Sequence, residues 1–466
     1  MIHKRRITRQ GFSVVAAAIG IVAAATAQTP APQADPSDFG LVVPVGGALR
    51  AGEGRRVAIQ HGGARVVALV HTDVGDRRIV VLPNGRLSSL PLDQTKATRD
   101  DFIPATKEQV VAELKGKALP GFKSRTTGRY VYLYNTSEEF WKTTSRILET
   151  MYPAITAYFK RLKLPVHEPT TPLVVIMFRT EEEFQKYHAM PSGVVAYYNA
   201  VSNHVVMFEQ SKLIEVAPDL AVKQSIATIA HEGIHQILHN IGVQQRLSTW
   251  PMWISEGLPE YFAPTSTDKR LRWKGVGTVN DLRMYELEQF VKHGGGEREN
   301  IVEQTVQAAR LTSTGYAAAW ALTHFLARTK KEKFEDYLLE VSKIGPLEQI
   351  GAKNTYLQRL GGGGSELFAR HFGADYRKLE NQLIEHLKQL PYTDPIANQT
   401  HYVVMLDTAM QRTAGVTTSP AAVRKWKDES LQNVPPQLRA RASFQVLAFP
   451  NKRLAEQYAQ QWLHRN

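Results

Sequence analysis

Cysteine is absent from all 466 residues. That excludes disulfides, a lipid-modified cysteine anchor and any thiolate metal ligand, so a metal site in this chain must use histidine and carboxylate. No dense run of basic residues interleaved with aromatics occurs, which argues against a nucleic-acid partner. No repeat of fixed period is visible, which excludes a solenoid. The glycine run Gly361–Gly364 is not followed by Lys and Ser/Thr, so it reads as a flexible loop and not as a phosphate cradle. The N-terminal uncharged apolar run, Phe12–Ala27, is 16 residues long, short of the about 20 that span a bilayer.

What is present is ordinary globular material, 43% hydrophobic and 22% charged, enough for two to four domains with at least one large core. Basic residues outnumber acidic ones by 57 to 44, a net +13. Four of the positive charges (Lys4, Arg5, Arg6, Arg9) precede the apolar run, and the remaining surplus reads as a solubilising basic surface. A basic stretch, an apolar run and a small-x-small ending, Ala25-Thr26-Ala27, make a secretory signal cleaved after Ala27; an uncleaved membrane anchor is the second reading. Arg5-Arg6 fits the start of a twin-arginine signal, whereas the residues after the pair fit it poorly. The expected location is outside the cytoplasm, periplasmic or extracellular, with no stable membrane insertion after cleavage.

Residues 28–39 read as a disordered spacer. Residues 40–95 carry short β-rich runs (Arg56–Ile59, Ala64–Val70, Arg78–Leu82) and the tight-turn signal Pro83-Asn84-Gly85, a small β domain with no chemistry of its own. In residues 96–270, Tyr130–Asn135 alternates as a strand, and Ser137 caps a helix to Phe159 whose apolar residues recur at helical spacing. Leu173–Phe178 is a buried strand, Val194–Phe208 a hairpin, and residues 219–240 a long helix. Residues 271–397 turn helical, and 398–466 form a small α+β tail with strands Tyr402–Leu406 and Ala442–Phe449. The fold class is therefore α+β.

The chemistry lies in His231-Glu232-Gly233-Ile234-His235. Residues four apart project from one helix face, so His231 and His235 can grip one ion, and Glu232 can lean over its open side without ligating it. A catalytic zinc takes three protein ligands and leaves a fourth position for water, whose pKa falls from 15.7 to about 7 so that an adjacent carboxylate can accept its proton. The segment Trp253-Ile254-Ser255-Glu256-Gly257-Leu258-Pro259-Glu260-Tyr261-Phe262 places a carboxylate, Glu256, 21 residues after His235 and beyond a turn, where it supplies the third ligand. Glu260, one turn on, either holds a ligating histidine by its other nitrogen or is a plain surface glutamate. His239 is a weaker ligand than Glu256, because the helix rotates it away from the pair. A metzincin would need Gly and His where Leu238 and Ile241 stand, and the inverted motif H-x-x-E-H is absent.

With these two motifs the chain resembles the gluzincin zinc metallopeptidases, whose downstream segment commonly reads Trp-x-x-Glu-Gly-x-x-Glu-Tyr. The resemblance covers roughly residues 128–390 and is nearest to secreted bacterial gluzincin-like proteins of unknown function. It implies a thermolysin-like catalytic unit, with a sheet and active-site helix followed by a helical lobe. It also implies one Zn2+ per chain on His231, His235 and Glu256, with Glu232 as general base. It makes Tyr316 the oxyanion donor; the structural alternative is an aromatic packing against Trp320, with His324 a further option whose commoner role is core packing. It implies too that the hairpin's edge strand pairs with substrate, making Tyr197, Tyr198 and Asn199 candidate contacts, though ordinary strand residues would look the same. The chain departs from the gluzincin aminopeptidases in lacking Gly-x-Met-Glu-Asn between Val194 and Glu209. The expected activity is therefore an exported endopeptidase acting on peptide or protein. The alternatives are a non-enzymatic envelope binding protein on a metal-retaining scaffold, or a zinc hydrolase of non-peptide amides.

Overall fold

The computed structural model describes residues 36–44, 47–210, 218–266, 272–292, 300–348, 362–408 and 412–464. The expected signal segment (residues 1–27) and most of the expected spacer (28–39) lie outside these residues. The protein is a mixed α+β structure with several sheets, and its described residues fall into two compact units. One contains the described residues up to Asp394, Pro218 and Asp219 aside; the other is formed chiefly by those from Pro395 onward. Among the described residues, no helix is long and apolar enough to cross a membrane.

The larger unit begins with an antiparallel sheet. Its strands are β1 (Leu49–Ala51), β2 (Arg56–His61), β3 (Ala64–Val74), β4 (Arg77–Val81), β5 (Leu87–Pro91) and β6 (Lys96–Ala97), ordered β5-β4-β3-β2-β6 with β1 also on β3. Asp73, between Arg55 and Arg78 at 2.9 and 2.7 Å, ties these strands together on one edge of the small core. Helix α1 (Lys107–Lys117) follows, started by a capping box between Thr106 and Gln109 that the sequence reading passed over.

The second sheet carries β7 (Lys123–Thr126), β8 (Tyr130–Tyr134), β9 (Leu173–Thr180), β10 (Ala196–Asn199) and β11 (His204–Gln210) in the order β10-β11-β9-β8-β7. Its centre is parallel and its two margins antiparallel. β8 and most of β9 are buried on both faces, so they read as continuous apolar runs. One face meets α1 and α3 (Glu181–Tyr187), the other α2 (Glu138–Arg161) and α4 (Pro218–Asn240).

After α5 (Met252–Phe262) comes a two-strand ladder, β12 (Thr265–Ser266) with β13 (Arg272–Trp273). The unit then turns helical: α6 (Asp281–Lys292), α7 (Ile301–Gln307), α8 (Ser313–Thr329), α9 (Lys331–Val341), α10 (Gly362–Phe372) and α11 (Tyr376–Lys388). Here one expectation fails. Gly362–Gly364 do not form a loop; they open α10. A Cβ on Gly364 would come within 3.2 Å of Pro251, so the missing side chain lets this helix start against α5, and burial of Leu367 and Phe368 beside Trp253 outweighs the low helix propensity of glycine. Gly361 itself lies outside the described residues.

The smaller unit packs α12 (Pro420–Gln432) and α13 (Lys452–Leu463) on a three-stranded antiparallel sheet ordered β15-β14-β16, from β14 (His401–Asp407), β15 (Arg412–Thr417) and β16 (Ser443–Phe449).

Candidate metal centre

Helix α4 holds the first three residues of the site, and its own polar residues fix it to the second sheet. Gln236 Nε2 donates to the carbonyls of Val174 (3.0 Å) and Asn203 (2.8 Å). Asn203 and Asn240 exchange amide hydrogen bonds of 2.9 and 2.7 Å. Asn203 has φ of 65°, a left-handed conformation that asparagine tolerates and that the tight β10–β11 turn requires. Gly233, inside the motif, faces Leu148 of α2; a Cβ there would lie 2.2 Å from Leu148 Cδ2. Gly257 plays the same part for α5, where a Cβ would meet Thr323 Oγ1 at 2.2 Å and the Ala319 carbonyl oxygen at 2.8 Å on α8. The glycine beside Glu256 thus brings α8 against the helix that presents Glu256.

Three atoms converge. His231 Nε2 and His235 Nε2 are 3.1 Å apart, and Glu256 Oε2 lies 3.1 and 3.3 Å from them. Metal bonds of about 2.0–2.1 Å meeting at a tetrahedral angle separate their ligand atoms by about 3.3 Å, so this trio has the dimensions of one face of a zinc site. Among the described residues, these three form the His/Asp/Glu cluster able to hold an ion.

The charge balance points the same way. Glu232, Glu256 and Glu260 are buried, and the buried Arg283 pairs with Glu260 and with the partly buried Glu286. Burial opposes charging the His231 ring, yet Glu256 and Glu260 override it and push its pKa up to about 10. Burial likewise opposes ionising Glu256, but His235 and His231 hold its carboxyl well below the usual range. A site that draws protons this strongly is one that a dication would neutralise.

Glu260 lies behind the cluster, not on the surface. Its Oε1 is 3.0 Å from His231 Nδ1, a close contact somewhat off the ring N–H direction. A carboxylate only accepts, so this contact favours the Nδ1–H tautomer and leaves the Nε2 lone pair for the cluster. Arg283 clamps Glu260 through Nε (2.9 Å) and Nη2 (2.6 Å), Asn280 donates at 3.1 Å, and Arg283 also reaches Glu286 at 2.7 Å. Burial pushes the Glu260 carboxyl up, but Arg283 and His231 bring it down to about 2. The sequence reading missed Asn280, Arg283 and Glu286; the signal was an arginine on the inward face of the Asp281–Val291 helix.

Glu232 Oε2 accepts the Tyr198 backbone N–H at 2.7 Å, and burial raises its pKa, counteracted in part by the two histidines. Tyr316, 8% exposed near the start of α8, places its ring 5.9 Å from that of His231, with the Arg283 guanidinium 5.6 Å from its centroid. Glu232, Tyr316 and the three convergent residues line one cavity of about 350 Å³.

β10 is the edge of its sheet, and Tyr197, Tyr198 and Asn199 also border the cavity. Their side chains differ in what they do. Tyr197 packs into the opposite core with Phe184. Tyr198 stacks on His239 at 5.3 Å and donates to Asn203 Oδ1 at 2.9 Å. Asn199 Oδ1 accepts the N–H groups of Val201 and Ser202 at 2.8 and 2.9 Å and shapes the hairpin turn. His239 gives its Nδ1 hydrogen to the Gln244 carbonyl at 3.1 Å and stands apart from the cluster. His324 is buried, 2.9 Å from His386 and packed on Trp320.

Residues 225–348 match the family described as protein of unknown function, DUF1570. The match runs from within α4 through α9, taking in the convergent trio, Glu260 and Tyr316, and brings no activity with it. No curated protein matches the chain.

Proposed function

We propose that the protein is an exported zinc-dependent peptidase of the gluzincin type, with a thermolysin-like catalytic unit, cutting internal peptide bonds. The observation that carries the reading is the convergence of His231 Nε2, His235 Nε2 and Glu256 Oε2 within 3.3 Å of one another, with a buried, unligated carboxylate, Glu232, beside them on an open cavity. His231, His235 and Glu256 would hold the ion. Zinc supplies Lewis acidity there, lowering the pKa of a bound water and polarising a carbonyl.

The chain's own residues do the rest. Glu232, with burial raising its proton affinity and the Tyr198 N–H fixing one oxygen, is placed to take a proton from the attacking water and return it to the leaving amine. Tyr316, whose burial keeps its phenol protonated, is a donor for the oxyanion of the tetrahedral intermediate. Glu260, held by Arg283, fixes the tautomer of His231. β10 is an edge strand, and its outward backbone groups other than the Tyr198 N–H, which Glu232 takes, are available to pair with an extended substrate backbone.

The test is metal content together with turnover. Purified protein is expected to carry about one zinc per chain, and Glu232→Gln to keep that zinc while losing about 10²–10⁴-fold in hydrolysis of a mixed peptide library, as expected for removal of a general base. Zinc content near zero in both the unmutated protein and His231→Ala would remove the metal site. Chelator-insensitive cleavage, or unchanged turnover in Glu232→Gln, would remove the mechanism.

A further inference from the structure

An open strand edge is a template for pairing with another chain, and proteins defend such edges with charge, proline, glycine or short length. Most edges here are defended in these ways. β7 carries Lys123 and Arg125, β5 ends at Pro91, β6 has two residues, and β15 carries Arg412 and Gly415. β10 borders the cavity already described.

β16 has none of these defences. Ser443-Phe444-Gln445-Val446-Leu447-Ala448-Phe449 is a run of seven residues without charge, proline or glycine. Among the described residues, no strand lies on its outer side. Arg441 and Lys452 fall beyond its ends, and Pro450 closes it.

The strand is also open on both faces. Opposed residues of an antiparallel pair project to one side, so Val446 shares a side with Val404 and Leu447 with Val403. α12 covers the first side and α13 the second, yet both lie over β14 and β15. A Cβ on Gly415 of β15 would come within 2.8 Å of Trp426 Nε1 on α12. Ala455 and Ala459 of α13 pack with Val403, Met405, Ala414 and Val416. Val403 and Val404 are therefore fully buried, whereas Val446 and Leu447 are each 39% exposed.

We infer that β16 is a dimer edge: it pairs antiparallel with β16 of a second copy of this chain, across a two-fold axis at Val446, and joins two three-stranded sheets into one of six strands. The strand's self-complementarity selects this occupant. Val446 is the middle residue of the seven, and a two-fold axis there sets Val446 opposite itself, Phe444 opposite Ala448, Gln445 opposite Leu447 and Ser443 opposite Phe449. The α12 side of the junction is then wholly apolar. Beyond the strand ends, Arg441 falls opposite Asn451 and not opposite a cation. Seven residues a side, about 23 Å of strand, are fewer than the about 20–30 of a standard interface, so a reversible dimer of about micromolar affinity is expected. The inference is independent of the peptidase reading.

The test is sedimentation equilibrium of the purified protein between about 1 and 100 µM, where a monomer–dimer equilibrium without larger species is expected. Val446→Lys, at an exposed position, should leave the unfolding temperature unchanged. It should weaken the dimer about tenfold or more, because it sets two ammonium groups against each other on the axis. Cross-linking reads the register, since the chain has no native cysteine to compete. Opposed residues have Cα atoms about 4.5–5.5 Å apart, within the span of a disulfide, and diagonal ones about 7–8 Å apart, outside it. Val446→Cys should give a covalent dimer on mild oxidation. Gln445→Cys should cross-link to Leu447→Cys in a mixture of the two variants, and not to itself.

A protein that stays monomeric at these concentrations, or a dimer that Val446→Lys leaves intact, overturns the inference. Thiol labelling of the Val446→Cys variant then tells an edge open to a strand from another protein from one covered by other residues of this chain. Mass that grows without limit also overturns it and makes β16 an aggregation edge. Cross-linking of Gln445→Cys to itself, with none to Leu447→Cys, overturns the antiparallel register.

Discussion

Each residue of the centre is held by a neighbour with a narrower task. His231 is oriented by Glu260, Glu260 is clamped by Arg283, and Arg283 lies against the ring of Tyr316. Tyr316 is thus tied to the cluster through the buried guanidinium as well as through its nearness to His231. Its phenol is predicted to matter only when negative charge develops on the substrate. Tyr316→Phe should keep zinc and the fold while lowering kcat by about 10²–10³, the range for losing one oxyanion donor, with little change in KM. Single-turnover kinetics beside a zinc assay read this directly; an equal loss confined to KM would make Tyr316 a wall of the cavity and nothing more.

At the scale of elements, two glycines decide how close the helices come. Gly233 admits α2 to the motif helix, and Gly257 admits α8 to α5. Since Glu256 precedes Gly257 and Tyr316 starts α8, this second contact sets the distance between a cluster residue and the phenol. Gly257→Ala must displace the Ala319 carbonyl as well as the Thr323 hydroxyl, an overpacking worth about 1–3 kcal/mol. The expected result is an unfolding temperature several degrees lower together with weaker zinc retention. Adding Thr323→Ala removes one of the two clashes and should restore part of both; calorimetry and zinc competition decide it, and no rescue at all would contradict this account of the contact.

At the scale of the larger unit, several histidines are buried in a form that resists protonation. His71 is held down to a pKa of about 4 by burial and the Arg246 charge, His204 to about 4 by burial and Arg86, and His324 to about 4 by burial and His386. In the unfolded chain each would titrate near 6.5. Below that value the unfolded state binds protons that the folded state does not, so stability rises with pH between about 4 and 6.5 and is flat in these groups above it. Each contributes a slope of up to about 1.4 kcal/mol per pH unit. Unfolding temperature should therefore fall from pH 7.5 to 5. His71→Gln, whose amide can still donate to the Arg246 carbonyl, should show a shallower fall; an identical slope would mean that His71 is not among the groups responsible.

What the chain determines locally could be read from it. The i, i+4 histidines need only a helix to share a face, and Glu256 needs only a turn to return a second helix, so their convergence was legible in the spacing. The Val194–Phe208 hairpin, the Ser137 cap and the strands from Tyr130 and Leu173 were legible for the same reason, since periodicity and turn chemistry act within a few residues. What lies far apart in sequence was not legible. Arg283 behind Glu260, the start of α10 at Gly362 against Pro251, and the cavity wall made from Phe39, Val201, Leu247 and Leu347 depend on which faces are buried against which. Burial is a property of the packed whole: it places a guanidinium beside a carboxylate, or packs a small β-sheet behind a cavity wall, and no local pattern announces it.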